Sequence, residues 1–266
     1  MPTLTTRLTR HATSLVLALA TQAVVASPLT AQYFGRTQAQ YRTFDFRILR
    51  TEHFDIFHYP EAEVGVRDAA RMAERWYTRL STILGHEFEQ RQPLILYASH
   101  ADFQQTNILG SPVGEGTGGV TESLKQRVIM PLAHTYGGTD HVLGHEIVHA
   151  FQYDLSGLGR SAGSIDAGAR ALAEAPLWFI EGMAEYLTLG PVDTHTAMWL
   201  RDGALTGEVP TIEQMTRSGR YNPYRWGHAF WSYVGGRWGD AVIGQLLKQV
   251  GQGVPYPEAF QRILNA

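Results

Sequence analysis

Three residues in the run His145-Glu146-Ile147-Val148-His149 have the types and spacing to act together chemically. On an α-helix, positions four apart lie about 40° apart around the axis, so both imidazoles face one point and can share a metal ion. The glutamate between them stays near that point without competing for it. Catalytic zinc takes three protein ligands and keeps a further position for water. Glu146 then has its own task. A carboxylate within one hydrogen bond of an acidified water takes its proton and later passes it to a leaving amine. Plain core packing on an apolar helix is the alternative for the two histidines, and the motif alone leaves the two readings level.

The elements around the motif shift that balance. From Thr139 to Leu155, apolar residues at 142, 143, 147, 148, 151 and 155 give a helix with a buried side, with Thr139 as the expected N-cap and Gly157 as the stop. The third ligand must come from another element. Glu181 is the strongest candidate because it interrupts the apolar run WFIEGMAEYL at 178–187, where an unpaired carboxylate would be costly to bury. Gly182 beside it lets that helix approach the first closely. Glu185 lies one turn on, on the same face, and can accept a hydrogen bond from the free nitrogen of a ligand histidine, which fixes the tautomer. The competing reading places both glutamates on an exposed helix stripe. A developing oxyanion needs a second donor opposite the metal. Tyr224, Tyr221, His228 and Arg225 are the nearest polar residues of the C-terminal part, and their spacing does not rank them.

The N-terminus reads as a leader. Arg7, Arg10 and His11 precede a small, apolar run from Ser14 to Val25, and Val24-Val25-Ala26 fits a signal-peptidase site, so residues 1–26 are expected to be removed and the protein exported, to a periplasm or the extracellular space. Without the two arginines of that segment, 20 basic residues face 25 acidic ones, a formal charge of −5 with histidines neutral. That balance argues against nucleic acid as a partner. With no cysteine, an exported chain gains nothing from disulfides and is held by its core. About 240 residues suffice for one large core or two packed subdomains. No later stretch is apolar enough to span a bilayer.

The remaining segments give an α+β fold. Residues 27–45 form an aromatic, polar arm. Phe46 to Tyr59 alternates as one or two strands, and Glu61 to Leu84 has the spacing of a long amphipathic helix stopped at Gly85. Pro93 to Ala98 fits a central strand, Gly110 to Gly119 a loop, and Val120 to Leu132 a return to strand. A Gly/Ala/Ser-rich stretch at 156–175, either a lid or a disordered bulge, separates the motif helix from the Glu181 helix. Short helices are expected at His195 to Asp202 and Pro210 to Arg217, two more between Tyr224 and Val250, and a last one from Tyr256 to Leu264. The domain over 46–266 thus divides into a mixed part at 46–138, a small mixed sheet with a long helix, and a mainly helical part at 139–266. A cleft between them is the natural place for the site.

The segments HEIVHAFQYD at 145–154, WFIEGMAEYL at 178–187 and YRWGHAFWSYVGGRWG at 224–239 resemble those of gluzincin-type zinc metallopeptidases of the peptidase MA-like group. The resemblance covers roughly residues 40 to 260 and implies a zincin-like fold for the domain over 46–266, with the active-site cleft between its two parts. It implies Zn²⁺ on His145, His149 and Glu181, Glu146 as general base, Glu185 behind a ligand histidine, and Tyr224 as oxyanion donor with Tyr221 close by as its rival. It also implies that Val120 to Met130 is the edge strand of the cleft and holds an extended peptide or protein substrate by β-augmentation. Similar domains often begin longer exported chains with β-propeller repeats. The 31 residues between His149 and Glu181 exceed the spacer of short-spacer members. The expected activity is peptide-bond hydrolysis. The alternatives are a catalytically silent binding or assembly module of the cell envelope, and a zinc hydrolase acting on a non-peptide amide or a cell-wall fragment.

Overall fold

The computed structural model describes residues 38–109, 112–133, 135–159 and 167–265. The leader expected at 1–26 and the first part of the arm lie outside them. A mixed five-stranded sheet with a long helix forms one part, and a largely helical subdomain follows it.

The sheet contains β1 (Arg47–Arg50), β2 (Phe54–His58), β3 (Gln92–Tyr97), β4 (Val120–Glu122) and β5 (Arg127–Pro131), in the order β1-β2-β3-β5-β4. β2, β3 and β5 run parallel, while β1 and β4 close the two edges antiparallel to their neighbours. Parallel neighbours need a crossover, and β2 reaches β3 through a 3-10 turn and the 22-residue helix α1 (Glu63–Leu84). Alternation along the strands sorts the two faces. Phe54, Ile56, Leu94, Leu96, Val128 and Met130 join the main core under the helices. Tyr59, Tyr97 and Ile129 face the other way, onto Phe103, Val113 and Phe44. The arm from residue 38 crosses this second face, its backbone bonded to Gln105 and Asn107. Tyr59 donates to the buried carboxylate of Asp102 at 2.6 Å beneath it.

After the short helix α2 (His100–Phe103), the segment from 120 to 131 is a hairpin rather than one edge strand, with its turn at Ser123 to Gln126. Only β4 is an edge. β5 lies inside the sheet, which narrows the edge expected at 120–130 to three residues. Helix α3 (Tyr136–Ser156) then lies against α1, β4 and β5. It begins earlier than its apolar pattern indicates, because the Thr135 side chain accepts from Gly138 N and caps it. Thr139, the expected cap, instead accepts from Ala133 N inside the first turn. Its end at Gly157, with φ 73°, is as expected.

The helical subdomain continues with α4 (Ala167–Ala173), α5 (Leu177–Leu189), α6 (Thr194–Thr206), α7 (Ile212–Arg217), α8 (Pro223–Trp238), α9 (Ala241–Gly251) and α10 (Tyr256–Leu264). α4 packs on α9 and α3, so the described part of 156–175 belongs to the core rather than to a lid. No described helix is long and apolar enough to cross a membrane.

The expectation for Gly182 needs correction. Its close neighbour is α8, not α3: a Cβ at Gly182 would stand 2.4 Å from Gly227 Cα, and one at Gly227 would stand 2.4 Å from the Trp178 carbonyl oxygen. Two glycines facing each other let α5 and α8 touch backbone to backbone, and this contact sets where Glu181 and Tyr224 sit. Because the clash would be with main chain, Gly227→Ala should destabilise by about 3 kcal/mol and lower Tm by roughly 6–12 °C. An unchanged thermal melt would show that the two helices have room to part.

Candidate metal centre

α3 brings His145, Glu146 and His149 together with Glu181 and Glu185 of α5. His145 Nε2 lies 3.1 Å from Glu181 Oε2, His149 Nε2 lies 3.2 Å from the same oxygen, and the two Nε2 atoms are 3.1 Å apart. Glu181 faces the imidazoles, with its side chain 16% exposed. The protonation pattern of the rings follows from their other nitrogens. Gln152 is fully buried, and its amide nitrogen donates to the Ile180 carbonyl at 3.1 Å. Its oxygen is therefore the atom 2.8 Å from His149 Nδ1, so Nδ1 carries the hydrogen. The Glu185 carboxylate, 3.0 Å from His145 Nδ1, fixes the same tautomer there. Both Nε2 atoms thus turn a lone pair toward each other and toward an anionic oxygen. That arrangement is repulsive unless positive charge sits among them.

A divalent cation fits. Donors at about 2.0–2.1 Å in tetrahedral directions lie about 3.3 Å apart, close to the observed triangle, and a two-nitrogen, one-oxygen set with Nδ1–H groups bonded behind it suits zinc. The charges alone express the same demand. Burial lowers the affinity of His145 for a proton, but hydrogen bonds to Glu181 and Glu185 and the field of Glu146 outweigh it and push its pKa up to about 10. Burial raises Glu181, yet the two histidines hold it well below the usual carboxylate range.

A second group among the described residues, His141, His145 and Glu185, has ligand-type atoms within 4.8 Å of one another. Two observations count against it as a cation site. His145 would have to bind through both nitrogens, and Arg225 Nη2 already lies 2.7 Å from Glu185 Oε2, an ion contact outside hydrogen-bond geometry. Even two unit positive charges about 4 Å apart repel by about 4 kcal/mol in such surroundings. Glu185 is instead a charge hub. His141 and His145 share Oε1, and Arg225 holds Oε2 while its other nitrogen reaches Asp193 at 3.2 Å, the residue whose side chain caps α6.

Glu146 is buried beside the triangle, and Thr121 of β4 reaches its Oε2 at 2.6 Å. A cavity of about 340 Å³ opens there, lined by the backbone at Gly116 to Gly119 and by His141, Val142, His145, Glu146, Glu185 and Tyr224. It lies between the two parts of the fold. Tyr224 stacks on His145 with centroids 5.9 Å apart and rings 21° from parallel. Burial, the charges of Glu181 and Glu146, and a hydrogen bond to Glu181 raise its pKa, so the phenol keeps its hydrogen.

Of the other three oxyanion candidates, Arg225 is held by Glu185 and Asp193, and Tyr221 and His228 lie elsewhere. Tyr221 packs edge-on against Trp226. His228 Nε2 donates to the Gly190 carbonyl at 2.9 Å, and the ring lines a different cavity. Since that carbonyl can only accept, Nε2 carries the hydrogen. Sequence reasoning missed Gln152, His141, Thr121 and Tyr153. Gln152 and His141 had a signal, being polar residues three after His149 and four before His145 on one helix. Tyr153, stacked on His149 at 6.3 Å and pushed up to about 12 by burial and by Glu146 and Glu181, had the same i+4 signal. Thr121 had none, because only the fold brings it to the motif. Comparison of the chain with protein-family models, curated proteins and solved structures finds no match, so the centre is read from its own geometry.

The raised His145 gives a pH dependence. Its folded value lies above the ordinary 6.5, so in chelator-treated protein the stabilisation from its proton is complete below about pH 6.5 and is lost as pH climbs to about 10. Urea midpoints in EDTA should fall over that window, and added zinc should remove the fall; a flat profile in EDTA would contradict the field described. Metal analysis of zinc-treated protein gives a second check, since His149→Ala or Glu181→Ala should lower its zinc content, whereas full occupancy after Glu181→Ala would exclude that ligand.

Proposed function

We propose that the protein is an exported zinc-dependent peptidase. The observation that carries this reading is the triangle of two imidazole nitrogens and one carboxylate oxygen, with a second, non-ligating carboxylate beside it at the mouth of a cavity. His145, His149 and Glu181 are the residues that would hold the ion. Zinc bound there supplies Lewis acidity, which lowers the pKa of a water and polarises a carbonyl.

The chain's own groups do the rest. Glu146 accepts the proton as the water oxygen bonds to the substrate carbonyl carbon, then gives it to the amine nitrogen as the C–N bond breaks. Tyr224, kept protonated by its surroundings, is the donor for the oxyanion that develops on the former carbonyl oxygen. Glu185 and Gln152 hold the ligand imidazoles in one tautomer and orientation. β4 ends the sheet next to the cavity, so its outer backbone groups can pair with an extended peptide, which is the substrate class we assign. Export rests on the leader-like residues 1–26.

Hydrolysis of a mixed peptide library tests this directly. Wild-type protein with zinc should cleave it. Glu146→Ala should lower the rate by about 10²–10⁴-fold with zinc still bound, and Tyr224→Phe should slow turnover without loss of metal. Zinc binding with no cleavage of any peptide would leave a zinc-holding binding module instead.

A further inference from the structure

We infer that the edge strand β4 and the glycine before it position Glu146, with Thr121 fixing one carboxylate oxygen and the backbone at Gly119 confining the other. This rests on the reading of Glu146 as the general base, and it adds a task to a strand otherwise regarded as a rail for substrate.

A glutamate on a helix has three rotatable side-chain bonds, so its carboxylate does not find one place unaided. At Glu146 two neighbours remove that freedom. The Thr121 hydroxyl lies 2.6 Å from Oε2 and 2.9 Å from the main-chain oxygen of the same residue. It has a single hydrogen, and the shorter contact is to the charged oxygen, which is the stronger acceptor. On the other side, a Cβ at Gly119 would stand 2.8 Å from Glu146 Cγ and 2.9 Å from Oε1. Gly119 has no unusual backbone angle among the described positive-φ residues, so its lack of a side chain is tied to this contact rather than to a turn. Residues 119 and 121, spaced i and i+2 at the start of β4, thus both adjoin the same carboxylate, Thr121 by its hydrogen bond and Gly119 by leaving open the space that a Cβ would fill. The hydrogen bond holds Oε2 toward β4 and leaves Oε1 beside the cavity that Gly119 and Glu146 both line.

The same arrangement separates the positioning task from metal binding. Neither Thr121 nor Gly119 touches His145, His149 or Glu181 in any hydrogen bond or ion pair of the described residues. Loss of the hydroxyl should therefore alter where Glu146 sits without altering the ion. A misplacement on the order of 1 Å in such a group costs up to about 10²-fold in rate.

The test uses the full chain with three variants: Thr121→Val, Thr121→Ser and Gly119→Ala. Valine keeps the branched shape that a strand favours and puts a methyl, which cannot donate to the carboxylate, in place of the hydroxyl, so folding is retained. With zinc loaded and a peptide found to be cleaved by wild type, Thr121→Val should lower kcat by roughly 10- to 100-fold, leave KM and zinc content unchanged, and be largely rescued by Thr121→Ser. Crystal structures of wild type and Thr121→Val, each without zinc, give a readout independent of turnover: the Glu146 carboxylate should leave its place beside β4 in the variant, and likewise in Gly119→Ala. An unmoved carboxylate in Thr121→Val, or wild-type kcat in that variant, overturns the inference. If wild type cleaves no peptide, the peptidase reading falls, and the two zinc-free structures still decide whether Thr121 positions Glu146.

Discussion

Two imidazole lone pairs and a carboxylate oxygen held 3.1–3.2 Å apart form an arrangement that only positive charge makes stable. The surrounding structure enforces it. Gln152 and Glu185 fix both rings with Nδ1–H turned away, so a neutral ring has no hydrogen on Nε2, and only an added positive charge, a proton or a metal ion, relieves the crowding. The helix gives the two histidines their common face, and the glycine contact between α5 and α8 sets the position from which Glu181 reaches them. Folding therefore builds an electrostatic demand into the core, and the raised proton affinity of His145 is that demand seen from another side.

Charge around the centre is arranged asymmetrically. Behind His145, Glu185 is neutralised by Arg225 and shared with His141, and the same arginine ties Asp193 at the start of α6. In front, Glu146 meets no cationic side chain in the described ion pairs and is held by a threonine hydroxyl and a bare stretch of backbone. One carboxylate is committed to holding a ligand ring. The other lies at the wall of the cavity. Tyr224 lies over His145 and Tyr153 over His149 with their rings nearly parallel to the imidazoles, and both phenols keep their hydrogens.

The parts of this site legible in the sequence are those set by local periodicity. The HExxH spacing fixes the geometry of His145 and His149 on any regular helix, and Glu181 and Glu185 stood out because an apolar helix has few reasons to contain carboxylates. The order of strands and helices followed from alternation and from glycine stops such as Gly85, whose φ is 60°. What failed was long-range or governed by a single hydrogen bond. Gly182 spoke of close approach without naming the partner, and the partner is α8. The cap of α3 moved to Thr135 because a hydroxyl found Gly138 N, which no apolar pattern records. The segment expected as one edge strand splits into β4 and an interior β5, since four turn residues were indistinguishable from strand by composition. Tyr221, Tyr224, His228 and Arg225 could not be ranked because their directions depend on how α8 packs; only Tyr224 and Arg225 turn toward the cluster or the carboxylate behind it.

X-ray absorption on the zinc-loaded protein tests the centre most directly, because it reports the identity and distance of the atoms around the ion. One zinc per chain, with two imidazole nitrogens and one carboxylate oxygen among ligands at about 2.0–2.1 Å, is the outcome the triangle of His145, His149 and Glu181 requires. A first shell with a single imidazole, or one unchanged when Glu181 is replaced by alanine, would contradict it.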